Sequence, residues 1–135
     1  MKSSLARTNY RIHTDAIQAQ LVNFEMSDFQ KNLIYALEAD MLNLIMFGQT
    51  AKEWEIKNPE LKKQGLNIRD VAEIEELIVL SGLETLNAFL INQDISKEER
   101  AKQLVIEAKK NFLSIQNQRS VKEIKKLITK PQFHL

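Results

Sequence analysis

The sequence predicts an all-α fold, a single compact bundle of about six helices around one long central helix. Three observations carry this. Apolar residues recur at intervals of three and four through most of the chain, the period of an amphipathic helix. The 135 residues include only three Gly and two Pro, too few tight-turn positions for a many-stranded β fold. Four Ser/Thr-x-x-Glu/Gln signatures, at 27–30, 50–53, 96–99 and 120–123, have the form in which two side chains satisfy the free amides of a helix start. With 44% hydrophobic residues the chain can bury a real core, so one domain over residues 1–135 is expected. Its core is placed at 5–115 and a basic C-terminal helix at 120–130.

From Ser4 to Val22, the spacing of Leu5, Ile12, Ala16, Ile17 and Leu21 predicts a first helix, with Tyr10 and His13 near its apolar stripe. This helix is expected to pack across the central one. Ser27 and Gln30 open a second helix with Phe29, Leu33, Leu37, Met41, Leu44 and Ile45 as its apolar face, and Gly48 stops it in a left-handed conformation. Thr50 and Glu53 open a short third helix carrying the only Trp, Trp54, and Asn58-Pro59 ends it. Residues 60–66 read as a loop. Asn67 is expected to cap the central helix, whose apolar residues from Val71 to Leu90 cover more than one stripe. Gly82 inside it implies either a close helix crossing or a kink. Ser96 and Glu99 then cap a helix with Leu104, Val105, Ala108, Phe112 and Ile115 on one face. A last short helix follows Ser120, with Val121, Ile124, Leu127 and Ile128 opposite its lysines, and Pro131 closes it.

The chain has no Cys, which excludes a disulfide framework and thiolate metal sites, and no apolar run near the length of a membrane span. No signal-peptide core stands at its start, so a cytoplasmic location in a bacterial host cell is expected. The formal charge of +1 conceals +2 over residues 1–24, −7 over 25–95 and +6 over 96–135. An acidic middle and a basic end attract each other within a fold or steer an anionic partner, and the internal reading is preferred.

Catalytic chemistry finds little support in the residues. The only histidines are His13 and His134, no Glu is followed at three residues by His, and the three glycines are isolated. These features disfavour a nucleophile–base pair, a di-metal carboxylate site and a phosphate loop respectively. No cofactor, metal or catalytic residue is expected. The informative polar residues are Glu38, Asp40 and Asn43 on the second helix and Arg69, Asp70, Glu84 and Asn87 on the central one. Set beside apolar positions, they read as a structural polar network with Arg69 paired to an acid, in preference to a catalytic cleft. Convergence of Glu38, Asp40, Arg69 and Asp70 in a pocket would reopen the enzyme reading. Arg119, Lys122, Lys125, Lys126 and Lys130 form a candidate surface for nucleic acid or a protein partner.

The segments LARTNYRIHTDAI, YALEADMLNLIMFGQTAKEWEIKNPELK, NIRDVAEIEELIVLSGLETLNAFLI and SKEER resemble, in order, the region C-terminal to the KilA-N domain in phage and prophage proteins of bacteria. The likeness runs from Leu5 to about Ala108. It singles out Tyr35, Glu38, Asp40, Asn43, Phe47, Gly48, Trp54, Asn67, Arg69, Asp70, Glu84 and Asn87, and implies no catalytic role for any of them. In such proteins the DNA-binding part is the preceding KilA-N module, which this sequence lacks. The expectation is therefore a non-enzymatic phage or prophage interaction module. It would form a dimer or bind a host or phage protein, as an inhibitor of a host defence or regulatory protein does. The rival expectation is a nucleic-acid-binding accessory domain acting through the basic C-terminal helix. No membrane partner is expected.

Overall fold

The computed structural model describes residues 2–116 and 126–127. Among them are six helices and no strand: α1 (Lys2–Gln20), α2 (Asp28–Phe47), α3 (Ala51–Lys57), α4 (Pro59–Lys63), α5 (Ile74–Asn92) and α6 (Lys97–Gln116). None of these helices is long and apolar enough to cross a membrane.

Local chemistry sets most of the boundaries. Ser27 and Gln30 form a reciprocal capping box at the start of α2, and Thr50 and Glu53 do the same for α3. The Ser96 hydroxyl accepts from the Glu99 amide at 3.3 Å ahead of α6. Gly48 ends α2 at φ 72°, a left-handed conformation in which a side chain would be strained.

Helix α5 is the hub, packed against α1, α6 and α2. One apolar cluster joins Met41 and Leu42 of α2 with Val79, Leu80 and Leu83 of α5 and Leu104 and Ala108 of α6. A second joins Ala16 and Ile17 of α1 with Ala88 and Ile91 of α5, flanked by Ile34 and Tyr35 of α2. The register of these contacts runs α1 parallel to α5 and α2 parallel to α6. Successive long helices are therefore antiparallel, as the short α1–α2 and α5–α6 connections favour.

Three expectations are corrected, and one of the two alternatives for Gly82 is removed. Asn67 does not cap the central helix. Its Oδ1 accepts from the amides of Arg69 and Asp70, and its own amide donates to Asp70 Oδ2 at 2.8 Å. Those bonds close a single turn, and α5 begins only at Ile74, where the Glu76 carboxylate accepts from the Glu73 amide. Residues 60–66 are not all loop, because Pro59 at the first helical position presets φ and starts the one-turn helix α4.

The third correction concerns α2, whose anticipated apolar face points the wrong way. Of that set Met41 is buried and Ile45 partly so, whereas Phe29, Leu33, Leu37 and Leu44 are exposed. The helix is instead turned to bury Glu38. Finally, Gly82 makes no close crossing: a Cβ placed on it meets nothing within 4 Å. The sixth helix of the sequence reading, 120–130, lies outside the described residues except for Lys126 and Leu127, which are helical and exposed.

Because Gly82 is exposed and helical, Gly82→Ala is expected to stabilise the fold by about 1 kcal/mol. Urea unfolding of the two proteins measures this. A lower midpoint in the variant would mean that a neighbour closes on this position after all.

Candidate functional site

Each of the four long helices sends one buried polar side chain to a common point. These are His13 from α1, Glu38 from α2, Asn87 from α5 and Arg100 from α6, all 3% exposed or less. The Arg100 guanidinium grips the Glu38 carboxylate with both ends, Nη1 to Oε1 at 2.6 Å and Nη2 to Oε2 at 3.2 Å. It also donates to Asn87 Oδ1 at 2.9 Å and, through Nε, to the Ile95 carbonyl at 3.0 Å. Arginine only donates. The Asn87 oxygen must therefore face Arg100, and its amide nitrogen faces Glu38 Oε1 at 3.0 Å and His13 Nε2 at 2.8 Å. It follows that Nε2 of His13 accepts and the imidazole is neutral.

The electrostatics agree with this geometry. Burial, reinforced by the charges of Arg69 and Arg100 against that of Glu38, pushes the His13 pKa down to about 4. Burial alone would raise the Glu38 carboxyl, but the hydrogen bonds from Arg100 and Asn87 and the Arg100 charge hold it below its ordinary value.

A second polar pair lies beside the first. Arg69, carried by the turn ahead of α5, donates from Nη2 to Glu84 Oε2 at 3.0 Å, and its guanidinium lies 5.9 Å from the centre of the Tyr10 ring. Here burial outweighs the partner and raises the Glu84 pKa, because Arg69 is itself about one-third exposed and partly screened by water. Arg69 and Glu84 line a cleft of about 40 Å³ together with Tyr10, His13, Tyr35 and Ala39.

The residues anticipated as one network thus divide. Glu38 and Asn87 share the central cluster, and Arg69 and Glu84 form the adjacent pair. Asp70 is occupied locally by Asn67 in the turn. Asn43 is buried with an unpartnered Oδ1, and neither it nor the half-buried Asp40 belongs to the cluster. Glu38, Asp40, Arg69 and Asp70 do not converge in one pocket. The two members missing from the sequence reading are His13 and Arg100, and a signal for both existed. Arg100, Leu104 and Ala108 repeat at intervals of four, and His13, Ala16 and Ile17 share a stripe, so each polar residue continues an apolar face inward.

Among the described residues no group of three or more His, Asp or Glu side chains is arranged to hold a metal ion. Of the proposed basic surface only Lys126 is described; Arg119, Lys122, Lys125 and Lys130 lie outside. Comparison of the chain with protein-family models, curated proteins and solved structures found no match.

Two outcomes are expected from the central cluster. Arg100→Met strands the Glu38 carboxylate and is expected to cost about 3–5 kcal/mol, whereas Glu38→Met combined with Arg100→Met costs far less than the two single changes summed. Denaturant unfolding of the cycle checks this, and additive losses would mean that the pair is not coupled.

The second concerns pH. His13 titrates near 6.5 when unfolded and near 4 when folded, so its contribution is complete above pH 6.5 and is lost as pH falls through 4. The loss is on the order of 3 kcal/mol. Glu38 adds acid sensitivity below its ordinary range, and Glu84, shifted upward, opposes it. His13→Gln, which keeps an acceptor for Asn87, is expected to flatten the stability profile between pH 6.5 and 4. Equal slopes in the two proteins would show that the imidazole is not buried uncharged.

Proposed function

We propose that this chain is a helical protein-interaction module whose docking face is the outer ridge of α2. The observation that carries the reading is that ridge itself. Phe29 is 76% exposed, and Leu33, Leu37 and Leu44 are each exposed by 44–48%. Their spacing of four, four and seven places them along one side of the helix over roughly 22 Å. Large apolar side chains exposed in a row, here with the half-buried Asp40 between Leu37 and Leu44, are unfavourable in water and commonly mark an interface. An amphipathic helix laid in a groove, or a second helix laid along it, is the recognition mode that such a ridge serves. A buried side committed to Glu38 and Arg100 holds the ridge rigid, which reduces the entropy lost on binding.

The resemblance to the region that follows the KilA-N module supplies a setting. In it the chain is a phage or prophage protein that dimerises or occupies the surface of a host or phage protein, with inhibition of a host defence or regulatory protein as the consequence. The alternative, an accessory nucleic-acid binder, is favoured by the +6 charge of residues 96–135.

Molar mass in solution by light scattering, with and without short duplex DNA at low salt, separates these readings when Leu33→Asp/Leu37→Asp is run beside the native chain. Both positions face solvent, so the variant is expected to keep its helical circular dichroism. A dimer, or a stoichiometric complex captured from host extract, that the variant loses supports the proposal. A native monomer whose captures are the same for both proteins refutes it, and a mass that rises with DNA favours the alternative.

A further inference from the structure

We propose that the uncovered side of α5 is where two copies of this chain meet, each α5 lying antiparallel along the other. The remaining sides of the central helix are closed. Ser81, Ala88 and Ile91 pack toward α1, and Val79, Leu80 and Leu83 toward α2 and α6. Ile78, Gly82, Thr85, Phe89 and Asn92 occupy the open side and are the only exposed residues of α5. Ile78 is 43% exposed and Phe89 58%. None of the five is charged, although residues 25–95 carry a net charge of −7, and a helix face meant for water ordinarily carries charged side chains. The Thr85 hydroxyl donates to the Ser81 carbonyl of its own helix at 3.3 Å. Its polar group is thus already served, and covering Thr85 strands no donor.

The spacing of the stripe points to a second copy as the occupant. Steps of four, three, four and three are those of a seam between two helices. In an antiparallel pair, Ile78 meets Phe89 of the partner subunit and Gly82 meets Thr85 of the partner subunit, so large pairs close both ends of a small middle. A parallel pair would set Phe89 on Phe89 and Gly82 on Gly82, a bulge beside a void. Area gives a second argument. From Ile78 to Phe89 the strip is roughly 16 Å long, whereas the face formed with the flanks of α1 and α6 is on the order of 750 Å². One partner contributes about 800 Å² to an interface of standard size. The α1 flank is suited to it: Tyr10, Thr14 and Ile17 line the cleft toward α2, which leaves the exposed Ile12 and Ala19 on the opposite side. An antiparallel two-fold lays α1 over α1 and α6 over α6, so a second copy covers the whole face and a lone helix only its middle. The docking ridge is a separate surface. Asn87, which bonds Glu38 of α2, lies on the side of α5 opposite the stripe, so the two ridges point outward from the dimer and stay free for a different protein.

The test is molar mass by light scattering on the full chain, from about 5 to 200 µM, where a dimer of modest affinity dissociates. The native chain is expected to reach twice the mass of one chain. Gly82→Lys adds a side chain at an exposed helical position where a Cβ meets nothing within 4 Å, and Lys suits a helix better than Gly. Its helical circular dichroism is expected to persist while association weakens at least about tenfold, because two ammonium groups are brought to the two-fold. Leu33→Asp/Leu37→Asp is expected to dimerise as the native chain does. The chain has no Cys, so cross-links report the register: mild oxidation of mixed Gly82→Cys and Thr85→Cys chains is expected to join unlike chains in preference to like ones. A native chain that stays single overturns the proposal, and if it captures an extract protein that Gly82→Lys loses, the face belongs to that partner. A dimer that survives Gly82→Lys, or one that only Leu33→Asp/Leu37→Asp abolishes, also overturns it, as does preferential joining of like chains.

Discussion

Arg100 carries a full positive charge into the interior, and the fold is arranged to make that tolerable. An ionised guanidinium is stable in such surroundings only if its donors find acceptors and its charge a counter-charge. The Ile95 carbonyl, Asn87 and Glu38 meet these needs from a loop, from α5 and from α2, and His13 on α1 takes the remaining proton of Asn87. Apolar contacts supply most of the driving force for packing, yet they are forgiving about rotation and sliding. The cluster is not. A turn of any long helix about its axis would strand at least one buried polar group.

Helix α2 shows what this demand costs and yields. It is apolar on two sides, and hydrophobic burial alone could have directed either of them inward. The ion pair decides. With Glu38 inside, Met41 and Leu42 join the core, and Phe29, Leu33, Leu37 and Leu44 are left in water. The same interaction that specifies the interior therefore creates the apolar exterior on which the functional proposal rests. A similar trade is visible in the turn ahead of α5, where Asn67 and Asp70 close the backbone so that Arg69 can reach over Tyr10 to Glu84.

Much of this was legible in the sequence, and the limits have a physical origin. The helical class, the reciprocal caps at Ser27 and Thr50, the stop at Gly48 and the central place of α5 follow from local rules of period and capping, whereas the five residues of α4 are too few to show a period. So did the pairing of Arg69 with an acid. The face of α2 did not, because a helix with two apolar sides offers no periodic signal to choose between them. Asn67 misled for a related reason: an Asx cap satisfies a single turn as readily as it starts a long helix. His13 reads from the sequence as lying near the apolar stripe of α1, but neither it nor Arg100 belongs to the anticipated network, although each sits where the neighbouring stripe of Ala16 and Ile17 or of Leu104 and Ala108 would have placed an apolar residue.

The spans of the hydrogen bonds in the cluster bear on how a chain emerging from the ribosome can fold. His13 and Asn87 are 74 residues apart, Glu38 and Arg100 are 62 apart, and among the four side chains only Asn87 and Arg100, at 13, are near neighbours. The α5–α6 hairpin can therefore bring its two members together early, as low-separation contacts do. The first two helices are made before either of their partners exists. Until α6 is synthesised, Glu38 has no cation to accompany it inward, so the N-terminal half has an electrostatic reason to stay open. The cation that completes the interior comes from the last of the described long helices to be translated, which ties stable burial of α2 to the arrival of α6.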